Sequence, residues 1–528
     1  MSEELAAMLD LEMAWRRVKS DFSKRIFLRH PYALQLIEFD LPGWLNSCRE
    51  KIVQGYHPHP MFVCDVPKPG GLIRPGSHLA HDDRLVYAAL VGACFPAIHE
   101  RLLWSQGVVD FSYRLAADAQ NTQWLRDRFT GWKAFQDGTL AKFNQGYAWC
   151  VLTDISAFYE NIDVSLLISD LRETRAPSLA IEQISVCLNR WAQAPGRGIP
   201  QGQSPSDILA KLYLNNVDQA LRNAGFAHLR YVDDVRIFCR TEEDCKRMLI
   251  FFSAELRRRG LNLQSAKTHI YRAEEARDKV EEITAELKLV RLDFIADIVR
   301  ETGHGDPYMS VHEADEILDE NPEEAPLEIL RRAYEVNIMD HRHRFNHTLF
   351  HFLLGRLGKQ RNSFAAEHCV TLLEPRPEET EPILDYLGNI GPGAEIEERL
   401  LGVLRSPQMI YHYQIYQIIE WFFDRSTGPS ASLIDYVRGV AFNPAFPRYL
   451  KTVSRALLGK FGSAADLERI AREYDATNDP SERADIVCSI SRMERMKRNA
   501  LLRRFEGDGA MIRRACRWVR NQDAQPQL

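Results

Sequence analysis

Apolar positions recur at three- and four-residue spacing from Met1 to about Lys51, which predicts helices broken at His30-Pro31 and at Leu41-Pro42-Gly43. Residues 61–77, MFVCDVPKPGGLIRPGS, read instead as a hairpin, with a Pro/Gly turn between two strands and the second strand ending at Pro75. Helical spacing returns over 81–104. The apolar run 148–154, AWCVLTD, ends abruptly in an acid, as a buried strand would. HLRYVDD and VRIFCR then predict a second strand pair with two acids at its tip. Residues 278–301 read as an amphipathic helix. The acidic stretch 303–326, with GHGDP and two further prolines, reads as a domain boundary because little in it could pack.

Beyond that boundary the chain reads as helix pairs with an internal repeat. Leu354-Gly-Arg-Leu-Gly358, Leu387-Gly-Asn-Ile-Gly391 and Leu458-Gly-Lys-Phe-Gly462 share the form L-G-x-apolar-G at spacings of 33 and 71 residues. These are close to one and two copies of a unit of roughly 35 residues, within the range of two-helix solenoids. No unit could bury its apolar face alone, so the copies are expected to stack.

Composition adds limits. Hydrophobic residues make up 45% of the 528 and charged residues 27%, ordinary values for a folded chain. No apolar run approaches the roughly 18 residues of a membrane span, and the start MSEELAAMLDLEMAWRR lacks the basic and apolar regions of a signal peptide. Ten cysteines occur without a CxxC pair, the closest being Cys239 and Cys245, which fits neither a thiolate zinc framework nor a disulfide scaffold and suits a reducing cytosol. The net charge of −6 divides unevenly. Residues 1–280 hold 35 basic against 33 acidic residues, while 491–520 hold ten against three. Local basic stripes permit nucleic-acid binding without demanding it.

Three segments concentrate the chemistry: Leu152-Thr-Asp154-Ile155-Ser-Ala-Phe158-Tyr159, then Gly198-Ile-Pro-Gln201-Gly202-Gln-Ser-Pro205, then Tyr231-Val232-Asp233-Asp234. An acid at one strand end and a pair on a hairpin tip 79 residues later could bring carboxylates from separate strands together. Hard divalent cations take oxygen ligands of this kind. Two such ions about 3.5–4 Å apart would activate a 3′-hydroxyl and stabilise a departing pyrophosphate oxygen. The expected chemistry is phosphoryl transfer.

In this order and spacing the segments resemble motifs A, B and C of the reverse transcriptases. The resemblance implies an α+β right-hand polymerase, with fingers and palm, followed by an all-α HEAT-like helical-repeat domain. It implies metal ligation by Asp154, the Ile155 carbonyl, Asp233 and Asp234, with Mg²⁺ as cofactor and Mn²⁺ as an alternative. Tyr159 would lie beneath the sugar of an incoming deoxynucleotide, and Gln201 and Gly202 would shape its pocket. Val66-Pro-Lys68-Pro-Gly-Gly-Leu-Ile-Arg74-Pro75 is similar to the fingers hairpin of group II intron and retron enzymes, where the matching lysine and arginine grip the triphosphate. Asp83-Arg84-Leu-Val-Tyr87 matches a DRxxY segment there. Lys267 resembles the motif D lysine, a general acid for pyrophosphate. Lys211 stands where many relatives have Asn and reads as a tolerated departure on a helix.

The arrangement also resembles the bacterial abortive-infection and defence-associated "unknown group" enzymes, which join fingers and palm to helical repeats; Phe111-Ser-Tyr113-Arg114 is similar to that group. Expected boundaries are 1–280 for fingers and palm with an N-terminal helical segment, 281–326 for a connecting helix and linker, and 327–520 for the repeats. The resemblance implies cytoplasmic antiphage defence and DNA synthesis from dNTPs in a form that is template-independent and protein-primed. Its expected partners are a single-stranded DNA product, a noncoding RNA in some relatives and a second copy of the chain, with no membrane. Two alternatives stand beside it: an RNA-templated, retron-like enzyme and a non-catalytic scaffold. Tyr32, Tyr56 and the 411–416 aromatics are candidate priming hydroxyls. His341-Arg-His343 with His347 suggests a metal site, but with no nearby cysteine or carboxylate pair in sequence it reads as solvated surface. Tyr411, Tyr413, Tyr416 and Trp421-Phe422-Phe423 read as packing between helices, and the basic 491–520 segment as either a phosphate-binding or a solvated terminal helix.

Overall fold

A computed structural model describes residues 2–22, 27–112, 125, 128–280, 327–339 and 345–522. The expected connecting helix and linker at 281–326, together with Tyr113, Arg114, His341 and His343, lie outside the described residues. The chain divides into two units. One comprises Met1–Leu28, Leu41–Cys64 and Pro75–Glu281, the other Arg29–Asp40, Asp65–Arg74 and Glu282–Leu528.

The first unit is built on a four-stranded sheet. Strands β1 (Phe62–Lys68) and β2 (Leu72–His78) form the predicted hairpin. β2 continues past Pro75 to His78, which a two-stranded ribbon tolerates because a missing N–H costs nothing on an edge. The main sheet has the order β4 (Ala227–Tyr231), β5 (Asp234–Cys239), β3 (Trp149–Asp154) and β6 (His269–Arg272). β3 runs antiparallel to both β5 and β6. The short β6 strand carries no apolar alternation strong enough to be read from sequence. On one face, Cys150, Leu229 and Phe238 pack against Phe135 and Phe143 of the Arg128–Asn144 helix. The Ser204–Asn223 and Glu242–Arg258 helices also pack against the sheet.

The 22-residue helix His81–Leu102 is long and apolar enough to cross a bilayer by length and composition, contrary to the expectation that no segment approaches this. Its apolar character has another use here, since most of its side chains, including Tyr87, Leu90 and Cys94, are buried within the first unit.

The second unit is a stack of helices. One row begins at residues 347, 380, 412, 448, 480 and 510, a period of 30 to 36, and each helix packs against the next in the row. Helices such as Ala394–Arg405, Ala431–Ala441 and Ala464–Arg472 alternate with them. This is the two-layer solenoid that the L-G-x-apolar-G spacing predicts. The three motif copies end the helices His347–Lys359, Thr380–Ile390 and Arg448–Phe461, all in the same row. One glycine of each motif copy faces the following helix of that row. A Cβ on Gly358 would lie 3.0 Å from the Asn389 amide, one on Gly388 3.0 Å from the Arg425 guanidinium, and one on Gly459 2.5 Å from the Ser489 carbonyl oxygen. The repeat in the sequence is therefore a record of close helix approach.

Segment Arg29–Asp40 joins this unit through specific pairs: Arg29 to Glu420 at 2.9 Å and Asp424 at 2.7 Å, and His30 to Asp485 at 2.6 Å. Arg514 and Arg517 both reach Asp40, Arg520 pairs with Glu506, and Lys497 with Glu468. Much of the charge in the basic 491–520 segment is thus engaged internally. The aromatic 411–423 stretch is mostly packing, with Tyr413, Tyr416, Trp421 and Phe422 buried and the Trp421 indole donating to the Leu384 carbonyl at 2.8 Å.

Gly459→Ala is expected to destabilise the chain by about 1–3 kcal/mol in urea unfolding, because the obstacle is backbone and cannot swing aside. Gly355→Ala, in the first copy of the motif, meets nothing within 4 Å and is expected to be neutral or stabilising by up to about 1 kcal/mol.

Candidate active site

β3 and β5 pair with Asp154 directly opposite Asp234, so the predicted acids from the two segments meet at one end of the sheet. The Ile155 N–H donates to the Asp233 carbonyl at 3.1 Å, and the Gln264 N–H to the Asp154 carbonyl at 2.8 Å. Backbone ties thus fix both acid-bearing strands and the segment leading to Lys267. Burial, then the neighbouring Asp154 and Asp234 carboxylates, pushes Asp233 up to about 6. Burial and Asp154 likewise raise Asp234. Negative charge converges here with too little around it to offset it.

One cation does approach. Lys267 Nζ lies 2.8 Å from Asp154 Oδ2, and this hydrogen bond raises the lysine's pKa. The Lys267 side chain is 64% exposed, so its hold on Asp154 is that of a surface pair.

The turn carrying Asp233 is strained. Val232 has φ +57°, a left-handed conformation that β-branched residues rarely adopt. Beneath it lies a network that the sequence did not announce. Arg230 Nη1 donates to the Val232 carbonyl at 3.0 Å, while Nη2 pairs with Asp218 at 2.7 Å and Asp110 at 2.9 Å. Lys211 completes it at 2.7 Å from Asp110 and donates to the Ser112 carbonyl. Lys211 does lie on a helix, Ser204–Asn223, but as a buried structural charge. It is 2% exposed and pairs with a carboxylate 101 residues away. The signal available in sequence was a lysine inside the otherwise apolar LAKLYL run.

Tyr159 is buried, its ring edge-on to Phe158 and its hydroxyl donating to Asp207 at 2.7 Å. The loop with Gln201 and Gly202 is laced to the same region: the Gly198 N–H bonds the Ile162 carbonyl, and the Ile199 N–H bonds the Tyr159 carbonyl. Gly198 has φ +91°, and a Cβ there would lie 3.2 Å from the Glu160 carbonyl oxygen, so glycine is required for this close approach. The Gln201 N–H donates to Ser77 at the base of the hairpin.

Asp83-Arg84-Leu-Val-Tyr87 proves to be internal structure. Asp83 accepts from the Tyr56 hydroxyl at 2.6 Å and the His59 N–H at 3.0 Å, and the Tyr87 hydroxyl bonds Ser206 at 3.0 Å. Lys68 and Arg74 lie in segment Asp65–Arg74, which groups with the second unit, whereas Asp154, Tyr159, Gln201, Gly202, Asp233, Asp234 and Lys267 belong to the first. Arg74 Nε is buried without a hydrogen-bond partner.

Lys211→Met leaves the fully buried Asp110 with Arg230 as its remaining ion-pair partner and is expected to cost about 3 kcal/mol in urea unfolding. Combining it with Asp110→Asn is expected to cost less than the sum of the single changes, because the two act on one pair.

No curated protein matches the chain. Among solved structures it is similar to telomerase from Candida tropicalis in complex with a fragment of telomeric RNA, with a TM-score of 0.29 and 12% identity over 69% of this chain and 63% of that one. It is also similar to human deoxyhypusine hydroxylase in complex with glycerol, with a TM-score of 0.17 and 14% identity over 47% of this chain and 99% of that one. The chain thus spans about 63% of the telomerase chain's length. Residues 66–283 match the family described as reverse transcriptase (RNA-dependent DNA polymerase). Over that stretch, with its acids opposed across β3 and β5, the chain carries a reverse transcriptase domain.

Proposed function

We propose that the chain is a DNA polymerase of bacterial defence that adds dNTPs at Asp154, Asp233 and Asp234, without a template and from a protein hydroxyl. The observation that carries its catalytic core is the convergence of these three carboxylates, with Asp233 pushed up to about 6. Such crowding fits a divalent cation, which relieves the repulsion that otherwise costs stability. Asp154, Asp233, Asp234 and the Ile155 carbonyl would hold it. Bound Mg²⁺, or Mn²⁺ in its place, would activate the attacking hydroxyl and stabilise the pyrophosphate oxygen.

The protein's own groups do the rest. The resemblance would give Lys68 and Arg74 the role of supplying charge to triphosphate oxygens. Lys267 would transfer from Asp154 to the leaving pyrophosphate and protonate it. The Tyr159 ring, held by Asp207, would exclude a 2′-hydroxyl. Gln201 and Gly202 would border the nucleotide.

Template-free, protein-primed synthesis rests on the resemblance to the defence enzymes, as do the noncoding RNA, self-association and the bacterial cytoplasm. The tyrosines first considered as primers are not equivalent. Tyr32 is buried, the buried Tyr56 bonds Asp83, and the buried Tyr416 bonds Glu420. Tyr411 is partly exposed, and its hydroxyl reaches only the Gly71 carbonyl at 3.4 Å, so it is the priming candidate to test first.

Nuclease-treated protein incubated with Mg²⁺ and labelled dNTPs is expected to incorporate label that shifts on denaturing gels after protease digestion. Asp233→Asn is expected to abolish the signal and Tyr411→Phe to remove the protein-linked fraction. Incorporation only after RNA is added would overturn the template-free reading and favour the retron-like one. No incorporation under either condition would favour the scaffold. In the same assay Tyr159→Ala is expected to admit ribonucleotides, whereas Tyr159→Phe, which keeps the ring, is expected to go on excluding them.

A further inference from the structure

The helical unit holds a second convergence of ligating side chains. His347 and His351 are four residues apart on the His347–Lys359 helix, so their imidazoles share one face. Across from them is the single turn Pro377–Glu379. His347 Nδ1 contacts Glu379 Oε1, and His351 Nε2 lies 2.6 Å from Glu379 Oε2, so the two rings engage the two oxygens of one carboxylate. Glu378 closes the group: one ligand atom each from His347, Glu378 and Glu379 lies within 4.8 Å of the others. The sequence reading set His347 aside for want of a nearby carboxylate pair. The fold supplies that pair, from about thirty residues further along the chain.

Charge and burial argue for more than a salt bridge. Glu379 is 2% exposed, and the Glu378 side chain is 10% exposed. Burial raises the Glu379 carboxyl, but hydrogen bonds from His351 and His347 outweigh this and hold it below the usual range. Two nearly buried carboxylates bring two negative charges. The Arg376 guanidinium stands 3.8 Å from Glu378 and stacks 3.7 Å above the Phe345 ring, which offsets one of them. The remaining charge faces two imidazoles that in their neutral form are lone-pair donors.

The frame is also fixed. Thr380 Oγ1 donates to the Pro377 carbonyl at 2.8 Å, and Gln414 Nε2 bonds Thr380 at 2.8 Å and the Leu373 carbonyl at 2.7 Å. The carboxylate turn is thereby anchored to two repeats. The imidazoles are 39% and 49% exposed, which leaves an approach from solvent.

We propose that His347, His351, Glu378 and Glu379 form a site for a divalent transition-metal ion of the Zn²⁺ class, separate from the palm acids. Mixed imidazole and carboxylate donors select such an ion over Mg²⁺, which prefers oxygen alone. Metal–ligand distances of about 2.0–2.2 Å require the imidazoles to draw back slightly from Glu379, with loss of the protons now shared with it, and His351, outside the group within 4.8 Å, to swing towards the other donors. The ion would clamp the first repeat helix to the second. Thiols are poor competitors, because all ten cysteines are buried.

The test uses the full chain, stripped with a chelator and then dialysed against Zn²⁺, with metal analysis and Co²⁺ absorption spectra. One tightly held equivalent per chain is expected, with the intense visible bands of low-coordinate Co²⁺ and a higher thermal unfolding midpoint. Asp154→Asn/Asp233→Asn, which removes the palm acids, is expected to keep that equivalent. His347→Gln/His351→Gln is expected to lose both the equivalent and the spectrum. These side chains are partly exposed, so the variant is expected to keep its wild-type circular dichroism, whereas Glu379→Gln risks the fold. Absence of a tight equivalent in the wild type, or its full retention in the double-histidine variant, would overturn the site.

Discussion

The active end of the palm depends on one buried ionic contact, that of Arg230 with Asp110 and Asp218. A β-branched residue at φ +57° in a two-residue turn is an unfavourable conformation, at about 1–3 kcal/mol. It persists because Arg230 grips the Val232 carbonyl and is itself held on both sides by buried carboxylates. Lys211 and Ser112 complete the shell around Asp110, so the polar groups of this network find partners away from water. Were Arg230 removed, two buried carboxylates would each lose a partner at once, and the turn would be free to relax. The position of Asp233 is thus set from below, by charges that never approach a substrate.

The helical unit is stabilised on a different principle. No single contact dominates a solenoid, because each helix meets mainly its neighbours in the stack. What specifies the register is where side chains are absent. Gly459 admits the Ser489 backbone, and Gly388 admits Arg425. Ion pairs such as Arg455 with Glu482 at 2.8 Å and Arg438 with Asp466 at 2.6 Å then join helices within the array. The Arg29–Asp40 segment uses the same currency of charge to dock onto helices nearly four hundred residues away.

What could be read from sequence follows from how local each feature is. The strand ending at Asp154, the hairpin around Tyr231-Val-Asp-Asp234 and the glycine-spaced repeat are encoded by neighbouring residues, and all appear in the structure. The opposition of Asp154 to Asp234 was also legible, because an acid-terminated strand and an acid-tipped hairpin have few other ways to pair. The partner of Lys211 was not. The apolar LAKLYL run hints that the lysine is buried, but nothing local names a carboxylate that lies 101 residues earlier. The His347, His351 and Glu379 contact escaped for the same reason, since helical periodicity gives the face of a helix but not what the fold sets against it. Lys68 and Arg74 sit on the predicted hairpin, yet their segment groups with the helical unit, and no local pattern carries that information.

Costs that a purely structural protein would avoid accumulate around one point of the first unit. Asp154, Asp233 and Asp234 crowd together, Asp233 is driven up to about 6, Val232 is strained, and a buried ionic network holds the turn in place. The acid beneath the turn is neutralised instead: even against burial, Arg230 and His228 hold Asp218 down at about 2. The contrast is between Asp218, on the Ser204–Asn223 helix and matched by Arg230 of the hairpin's first strand, and the hairpin tip, whose carboxylates are not matched. A fold able to satisfy the first could have satisfied the second with one more cation. Its failure to do so is the physical mark of a site whose counter-charge arrives from outside, and under the proposed reading that counter-charge comes with the nucleotide.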